Sequence, residues 1–407
     1  MNSEVLVVAD QKAGNVQFLN PVTGAVQRRL DSVVLAEHAG FLPLGGGRCA
    51  FIDDAGGALV IADAFTNTPL RTIPVAIPGE HLACDPSGRF IAVTTGLGVS
   101  WEPWSDLLTV VDLESDGGPT SRRIRTRAGE PGVVVGETPE GPAAVVRHRE
   151  PGGIESFSVE RILAEGVHCP PMQGLRAEAS PDGHGDAFDP VTGTMFVATG
   201  QGLERFDIRK PQPEALQAIA WDAPGRAYFL RFCPGRRVLV AVLRHGGGEP
   251  RDWAQWGNTL WVHNLDTGLT QTTPLGQGLV FRFALTATGI ATARVHPEGD
   301  ELSVHHLGPL EAGPPALRGT WDLPRMDGAP RPGNEPWDNA ERRAIAASPS
   351  SELVAVTRGG HGELHVVDTS AAGSPLRTIT LGSPLHDGGH LAWVSAVDAA
   401  PGDTVGR

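Results

Sequence analysis

Short apolar runs of five to eight residues, rich in valine, recur along the whole chain and are separated by polar turn residues. Runs of this length between Gly, Pro, Asp and Asn clusters predict β-strands. A sustained apolar period of 3.6 residues is missing, and residues 159–165 supply at most one helical turn. The turn signals recur at Asn20–Gly24, Asp85–Gly88, Asp189–Gly193 and Asp266–Gly268. The pattern therefore predicts an all-β protein.

The strands repeat in groups of four, here named A to D. Residues 79–127 show the unit, with strands at 81–84, 89–93, 108–111 and 122–125. The same order fits 38–74, 129–165, 183–221, 225–274, 276–322 and 343–381. The N-terminal segments 4–9, 15–19 and 25–30 supply only strands B, C and D, and 390–394 supplies the missing strand A. We expect one domain over residues 1–407, a β-propeller of eight blades closed by this C-terminal strand. Seven blades is the alternative, because 129–165 is the weakest unit.

The amino-acid sequence of the repeats is similar to that of one group of propellers. Asp85–Val93 and Leu108–Asp112 resemble the YVTN/lactonase-like branch of the WD40-type superfamily. This resemblance implies the fold and not a function. The turn Arg358–His361 is similar to the Arg-Gly-His turn of sugar lactonases in this branch, although the other blades lack it. The resemblance implies that Arg358 and His361 face the same rim and take part in catalysis, and the alternative is a glycine turn with a solvated arginine.

Charge and composition narrow the class of partner. The chain carries 33 basic and 47 acidic side chains, a net charge of -14, which argues against nucleic acid and anionic membranes as partners. It has no apolar run long enough for a spanning helix. The four cysteines form no CxxC pair, and no signal peptide is evident, so we expect a cytoplasmic protein.

Long connections with unusual residues fall on the predicted rim that carries the B–C and D–A loops. They are 96–106 with Trp101 and Trp104, 245–257 with His245, Trp253 and Trp256, and 323–342 with Trp337. Long loops on a rigid scaffold commonly hold binding residues. We predict that these side chains wall a substrate pocket over the axial channel. The alternative is that the indoles only pack the loops onto the blade ends.

Histidine stands at the start of three predicted A strands, at His38, His81 and His390. The three blades are consecutive, so the imidazoles are expected to converge beside the channel. Three imidazoles with an open position suit zinc, copper or iron, and Glu37 and Glu80 would orient the rings. The alternatives are hydrogen bonds within each blade and a metal-free acid–base or ligand-binding role.

His184 and Asp186 are predicted to approach the same channel from the opposite side, as fourth ligand or general base. Nucleophile-elbow, phosphate-loop and dinucleotide motifs are absent from the sequence, so no nucleotide cofactor is indicated. The sequence favours a metal-dependent enzyme acting on a small organic molecule, with an unspecified reaction. A non-catalytic scaffold or metal carrier, with a protein partner, and a metal-free lactonase-like hydrolase are the alternatives.

Overall fold

Four-stranded antiparallel sheets make up the fold. The computed structural model describes residues 4–66, 70–96, 106–149, 151–166, 168–337 and 340–396. Within these residues the chain forms eight such sheets, which are the blades of a β-propeller. The predicted fold class and the count of eight blades are therefore confirmed.

Blade 1 joins the two ends of the described chain. It consists of β1 (Glu4–Asp10), β2 (Asn15–Leu19), β3 (Val26–Asp31) and β32 (His390–Ser395). Blade 2 consists of β4 (Phe41–Gly45), β5 (Arg48–Asp53), β6 (Ala58–Asp63) and β7 (Arg71–Pro74). Blade 3 consists of β8 (Gly79–Cys84), β9 (Phe90–Thr95), β10 (Leu107–Asp112) and β11 (Thr120–Arg125). Blade 4 consists of β12 (Pro131–Thr138), β13 (Gly141–His148), β14 (Ile154–Ser158) and β15 (Leu175–Ala177).

The remaining blades follow in chain order. Blade 5 consists of β16 (Asp186–Asp189), β17 (Thr194–Ala198), β18 (Gly202–Asp207) and β19 (Glu214–Ala220). Blade 6 consists of β20 (Arg226–Cys233), β21 (Val238–His245), β22 (Gly257–Asn264) and β23 (Thr270–Gln277). Blade 7 consists of β24 (Leu279–Leu285), β25 (Gly289–Val295), β26 (Asp300–His306) and β27 (Ala316–Leu323). Blade 8 consists of β28 (Ile345–Ala347), β29 (Leu353–Arg358), β30 (Glu363–Asp368) and β31 (Arg377–Thr380).

Helical structure is sparse in the described part of the chain. One α-helix, α1 (Val159–Ala164), begins after Ser158, whose side chain accepts a hydrogen bond from the backbone N–H of Arg161. Short 3-10 turns lie at Pro234–Arg236, Pro250–Gln255, Leu310–Ala312, Gly359–His361 and His386–Gly388. No helix of the described residues has the length and apolar character needed to cross a membrane.

The chain divides into two compact units, each described by itself below. The first unit contains the described residues of 4–35, 222–225 and 238–396, and the second those of 36–221 and 226–237. The single domain expected over residues 1–407 stays a prediction. Blade 1 belongs wholly to the first unit, where β1 pairs with β32 in a register that runs from Glu4 opposite Ser395 to Ala9 opposite His390. The predicted closure by the C-terminal strand is thus confirmed.

Burial separates the fourth strand of each blade from the other three. Strands β1 and β2 are buried along their whole length, whereas only Leu30 is buried in β3. Ile73 in β7 and Ile124 in β11 are likewise the single buried residues of their strands. Strands covered on both faces need apolar residues at nearly every position, which explains the continuous valine-rich runs in the sequence.

The predicted turns form through side-chain hydrogen bonds to the backbone. Asp85 accepts hydrogen bonds from the N–H groups of Ser87 and Phe90, and Asn20 accepts them from Val22 and Thr23. Gly88, which ends the first of these turns, has a φ of +79°, a conformation that glycine adopts without strain. The polar clusters between the apolar runs therefore set the strand connections.

Blade 4 requires a correction of the predicted unit 129–165. Its fourth strand is β15, which lies between the predicted units 129–165 and 183–221 and not inside the first of them. Helix α1 separates it from β14 and buries Val159 and Ile162 against the apolar cluster of blades 3 and 4. A three-residue strand without a valine run leaves no pattern to recognise, which is why its position was missed.

Candidate functional site

Ionisable side chains collect in the second unit where A strands begin and B strands end. These two ends coincide because strands A and B are antiparallel. Hydrogen bonds, ion pairs and charge interactions connect the members of this group, which we call the polar cluster. It comprises His38, Asp54, Glu80, His81, Glu130, Arg147, Arg149, His184 and Asp186.

His38 and Glu80 form the closest imidazole–carboxylate pair of the polar cluster. The Nδ1 atom of His38 lies 2.8 Å from Oε1 and 2.7 Å from Oε2 of Glu80. The carboxylate side chain is only 9% exposed, whereas that of His38 is 34% exposed. Burial opposes ionisation of Glu80, but the hydrogen bond and positive charge of His38 outweigh it and lower the pKa of Glu80. A buried carboxylate thus orients an imidazole that reaches solvent.

The sequence placed Glu80 beside its neighbour His81, but the structure pairs it with His38. His38 lies in a turn before β4 and not in the strand itself. A Cβ atom at Gly96 would lie 1.8 Å from Oε2 of Glu80, so only glycine leaves room for this carboxylate. The spatial partner of Glu80 therefore comes from another blade.

His81 lies in β8, next to an irregular step in the pairing with β9. Burial lowers the pKa of its imidazole, and the charges of Arg147 and His38 act in the same direction, against Glu80 and Asp186. The ring is therefore neutral near pH 7 and can donate one hydrogen bond and accept another.

Asp54 is a member of the polar cluster that the sequence did not indicate. It follows the buried strand β5, and its Oδ1 atom accepts a hydrogen bond of 2.9 Å from the N–H of Gly79. Burial raises the pKa of Asp54 to about 6. A carboxyl group with this pKa exchanges its proton close to neutral pH. The sequence did contain a signal for Asp54, because it is the second of two consecutive aspartates at the end of a buried apolar strand.

Arg147 and Asp186 form a buried two-point ion pair. Nε of Arg147 lies 2.7 Å from Oδ1 of Asp186, and Nη2 lies 3.1 Å from Oδ2. Arg147 also donates to the carbonyl of Gly183 at 3.0 Å. A Cβ atom at Gly132 in β12 would lie 1.7 Å from Oδ2 of Asp186. Both oxygens of Asp186, predicted as ligand or base, are thus engaged by a guanidinium group.

His184 is fixed by a backbone carbonyl and faces a carboxylate. Its Nδ1 atom donates to the carbonyl of Tyr228 at 3.0 Å, and its ring meets the Tyr228 ring edge-on at 5.4 Å. Its Nε2 atom lies 3.7 Å from Oε1 of Glu130, whose other oxygen contacts Arg149. Burial lowers the pKa of His184 to about 4. The imidazole is therefore neutral at pH 7.

Arg358 and His361 belong to the first unit and hold a neighbouring loop. Arg358 donates to the carbonyl of Arg325 at 2.7 Å and to Glu363 at 3.0 Å. Nε2 of His361 accepts a hydrogen bond of 3.3 Å from the N–H of Asp327. The catalytic role that the resemblance implies for them stays a prediction.

The tryptophans of the first unit differ in exposure. Trp253 is fully buried and Trp256 is 6% exposed, and both pack in an apolar cluster with Leu279 and Met326. Trp337 is 37% exposed and lies 6.2 Å from the ring of Trp256. The burial of Trp253 and Trp256 agrees with a packing role, and substrate binding by them stays a prediction.

Two further predicted site residues, His245 and His390, belong to the first unit. His245 ends β21, and its Nε2 atom lies 3.4 Å from Oγ1 of Thr259. His390 begins β32 and is 6% exposed. Trp101 and Trp104 lie outside the described residues.

The sequence predicts metal ligands at His38, His81 and His390. Among the residues that the structure describes, no three His, Cys, Asp or Glu side chains form a group able to hold an ion. His38 and His81 belong to the second unit and His390 to the first, and their role as metal ligands stays a prediction.

The first unit also contains an open groove of about 440 Å³. Its carboxylates are Glu298, Asp300, Glu301 and Asp322, and no predicted site residue lines it. Asp300 is already held by Arg343 in a buried ion pair of 2.7 Å. The groove therefore contains none of the predicted site residues that the structure describes.

The propeller fold is shared with solved structures of low sequence identity. The chain is similar to apo AztD from Citrobacter koseri, with 13% identity, a TM-score of 0.67 and coverage of 98% of this chain and 99% of that one. The dihydro-heme d1 dehydrogenase NirN in complex with DHE has 14% identity, a TM-score of 0.56 and coverage of 96% and 75%. A putative 6-phosphogluconolactonase from Bacteroides uniformis has 13% identity, a TM-score of 0.51 and coverage of 97% and 100%.

These similarities establish the fold alone, because proteins of one fold differ widely in function. Protein-family models and curated protein sequences give no match. The chain is an eight-bladed β-propeller.

Proposed function

We propose that the chain binds a small organic molecule at the polar cluster and that His38, oriented by Glu80, transfers a proton to and from it. The hydrogen bond between the buried Glu80 and the partly exposed His38 carries this proposal. A carboxylate that accepts the Nδ1 proton leaves Nε2 as the basic nitrogen and stabilises the imidazolium that forms during the reaction.

The reaction class that this pair supports is metal-free acid–base catalysis, such as the opening of a lactone or ester by water. Nε2 of His38 would take a proton from water while the water oxygen bonds to the carbonyl carbon. When the ester bond breaks, the imidazolium would return that proton to the leaving alkoxide. Asp54, whose pKa lies at about 6, supplies a second group able to exchange a proton near neutral pH.

A metal does not enter this proposal, because the described residues offer no three-ligand group. The non-catalytic alternative would use the same polar cluster for binding alone. Zinc, copper or iron bound by His38, His81 and His390 is therefore tested separately, by metal analysis.

The test is acid release by the full chain from a panel of lactones and simple esters. We expect His38→Gln and Glu80→Gln each to lower kcat about 100-fold or more with little change in KM, because both act on proton transfer and not on binding. The matched control is His306→Gln, at an exposed imidazole of the first unit that Arg318 contacts. Thermal melts check that each variant folds.

Two outcomes would overturn the acid–base assignment. One is turnover that survives both substitutions in folded protein. The other is no turnover of any member of the panel, which together with ligand binding would favour the non-catalytic alternative.

A further inference from the structure

Two hydrogen-bond acceptors of the polar cluster, Nε2 of His184 and Oε1 of Glu130, lie 3.7 Å apart. Nδ1 of His184 carries its proton, because the carbonyl of Tyr228 can only accept a hydrogen bond. In the neutral ring the Nε2 atom then presents a lone pair. Oε1 of Glu130 lies 3.7 Å from this nitrogen, which is beyond hydrogen-bond distance.

Glu130 remains an acceptor for a physical reason. Burial opposes its ionisation, but the hydrogen bond from Arg149 and the charges of Arg149 and Arg147 lower the pKa of Glu130. The carboxylate is therefore ionised at neutral pH. A lone pair and a carboxylate oxygen repel each other unless a donor lies between them.

The neighbouring charged groups also favour a ligand that donates hydrogen bonds over one that carries a negative charge. Glu80 and Asp54 add further carboxyl groups to the polar cluster. Both nearby guanidinium groups are already engaged by carboxylates, Arg147 by Asp186 and Arg149 by Glu130. An anionic ligand would meet carboxylates here, and the arginines that usually bind phosphate or carboxylate are committed to partners of the protein.

We infer that the ligand of the polar cluster is a neutral or cationic molecule whose O–H or N–H groups bridge Nε2 of His184 and Oε1 of Glu130, and that phosphorylated and carboxylate-bearing molecules are rejected. The inference rests on the binding part of the proposed function and names its substrate class. A polyol and an amine share the required chemistry, since each offers two donors on adjacent atoms or on one atom.

Two matched sets of probes distinguish a polyol from an amine and measure the effect of a negative charge on binding. One set is D-glucose, D-glucosamine and D-glucose 6-phosphate, and the other is glycerol, 2-amino-1,3-propanediol and glycerol 2-phosphate. Binding is measured by calorimetry and by the ¹⁵N signal of His184 Nε2 in histidine-labelled protein at pH 7. We expect a neutral or aminated member to bind and to shift this signal, and its phosphorylated counterpart to bind at least about tenfold more weakly. Tighter binding and a larger shift of the His184 signal with the hydroxylated member identify a polyol as the ligand class, and with the aminated member an amine.

Variants test whether the two acceptors are responsible. Glu130→Gln keeps the size of the side chain but removes its charge, and should weaken binding about tenfold or more, as expected for loss of a charge-assisted hydrogen bond. His184→Gln is the second variant, should Glu130→Gln fail to fold, and His306→Gln is the control. Binding is also measured in Glu80→Gln, which disables the proposed proton transfer but leaves both acceptors.

The outcomes distinguish the two proposals. Binding with this charge preference in a chain without turnover would overturn acid–base catalysis and support the inference. Turnover of an ester together with equal or tighter binding of the phosphorylated probes would support acid–base catalysis and overturn the inference. Two further results would overturn the inference. One is that no member of either set shifts the His184 signal, as expected if only water binds between the two acceptors. The other is that neither variant changes binding.

Discussion

Arg147 and Asp186 meet in a buried two-point ion pair, although the sequence marked only the aspartate. The guanidinium group comes from the end of β13, and its side chain is 2% exposed against 8% for the aspartate. A buried charge of this pair that lost its partner would be costly, because nothing else would compensate it. We therefore expect the ion pair to stabilise the folded polar cluster.

Removing one partner should be strongly destabilising. We expect Arg147→Met to lower the free energy of unfolding by about 3–5 kcal/mol, because it leaves the Asp186 carboxylate buried without a counter-charge. Urea unfolding measures the change. Arg29→Ala is the control, since its pair with Asp31 is exposed on both sides and should contribute about 1 kcal/mol or less. Equal losses in the two variants would contradict this reading of the buried pair.

The contribution of His184 to stability should fall as the pH drops from about 6.5 towards about 4, because burial lowers its pKa to about 4, whereas Asp54, whose pKa is raised to about 6, should oppose this loss below about pH 6. In that window the unfolded chain binds a proton at this histidine and the folded chain does not, so protonation favours unfolding. The depressed pKa of Glu80 adds a loss at still lower pH, as folded Glu80 takes up its proton. Urea midpoints across this range measure the trend.

His184→Gln should flatten the pH dependence between about 6.5 and 4, because it removes the titrating group. The exposed His306, changed to Gln, should leave the curve as in the original chain. An NMR titration showing that His184 gains its proton near pH 6.5 would contradict the prediction.

The two classes of tryptophan should respond differently to truncation. Trp253→Ala should cost about 3–5 kcal/mol, because the fully buried indole leaves a cavity between packed residues. Trp337→Ala should cost about 1 kcal/mol or less, since the indole is 37% exposed. Thermal melts of both variants make the comparison. A Trp253 variant that stays stable and loses ligand binding would favour the predicted pocket wall over packing.

Metal removal should have little effect. We expect purified protein to hold well below one equivalent of zinc, copper or iron, and a chelator to leave the melting temperature unchanged, because the described residues form no three-ligand group. Elemental analysis and melts with and without chelator provide the measurement. One equivalent that disappears in His81→Ala would contradict this expectation and support the three-histidine prediction, and His306→Gln serves as the control.

The sequence by itself determined the fold of this protein. Valine-rich runs and Asp- or Asn-started turns are local signals, and their repetition indicated eight blades and the strand at His390–Ser395 that closes the first of them. Among the described strands, local signals failed at β15, where three residues carry no apolar pattern, and at His38, which lies in a turn before β4.

Tertiary structure alone decided the pairings of the polar cluster. Sequence pattern placed His38 and Glu80 at strand starts, but which carboxylate reaches which imidazole depends on the approach of different blades, and here Glu80 meets His38 across 42 positions of the chain. Arg147 and Glu130 carried no recognised motif, because their roles arise from burial and neighbouring charge. Hydrophobic period and turn chemistry act over a few residues, whereas a site of ionisable groups is defined by distances that only the folded chain establishes.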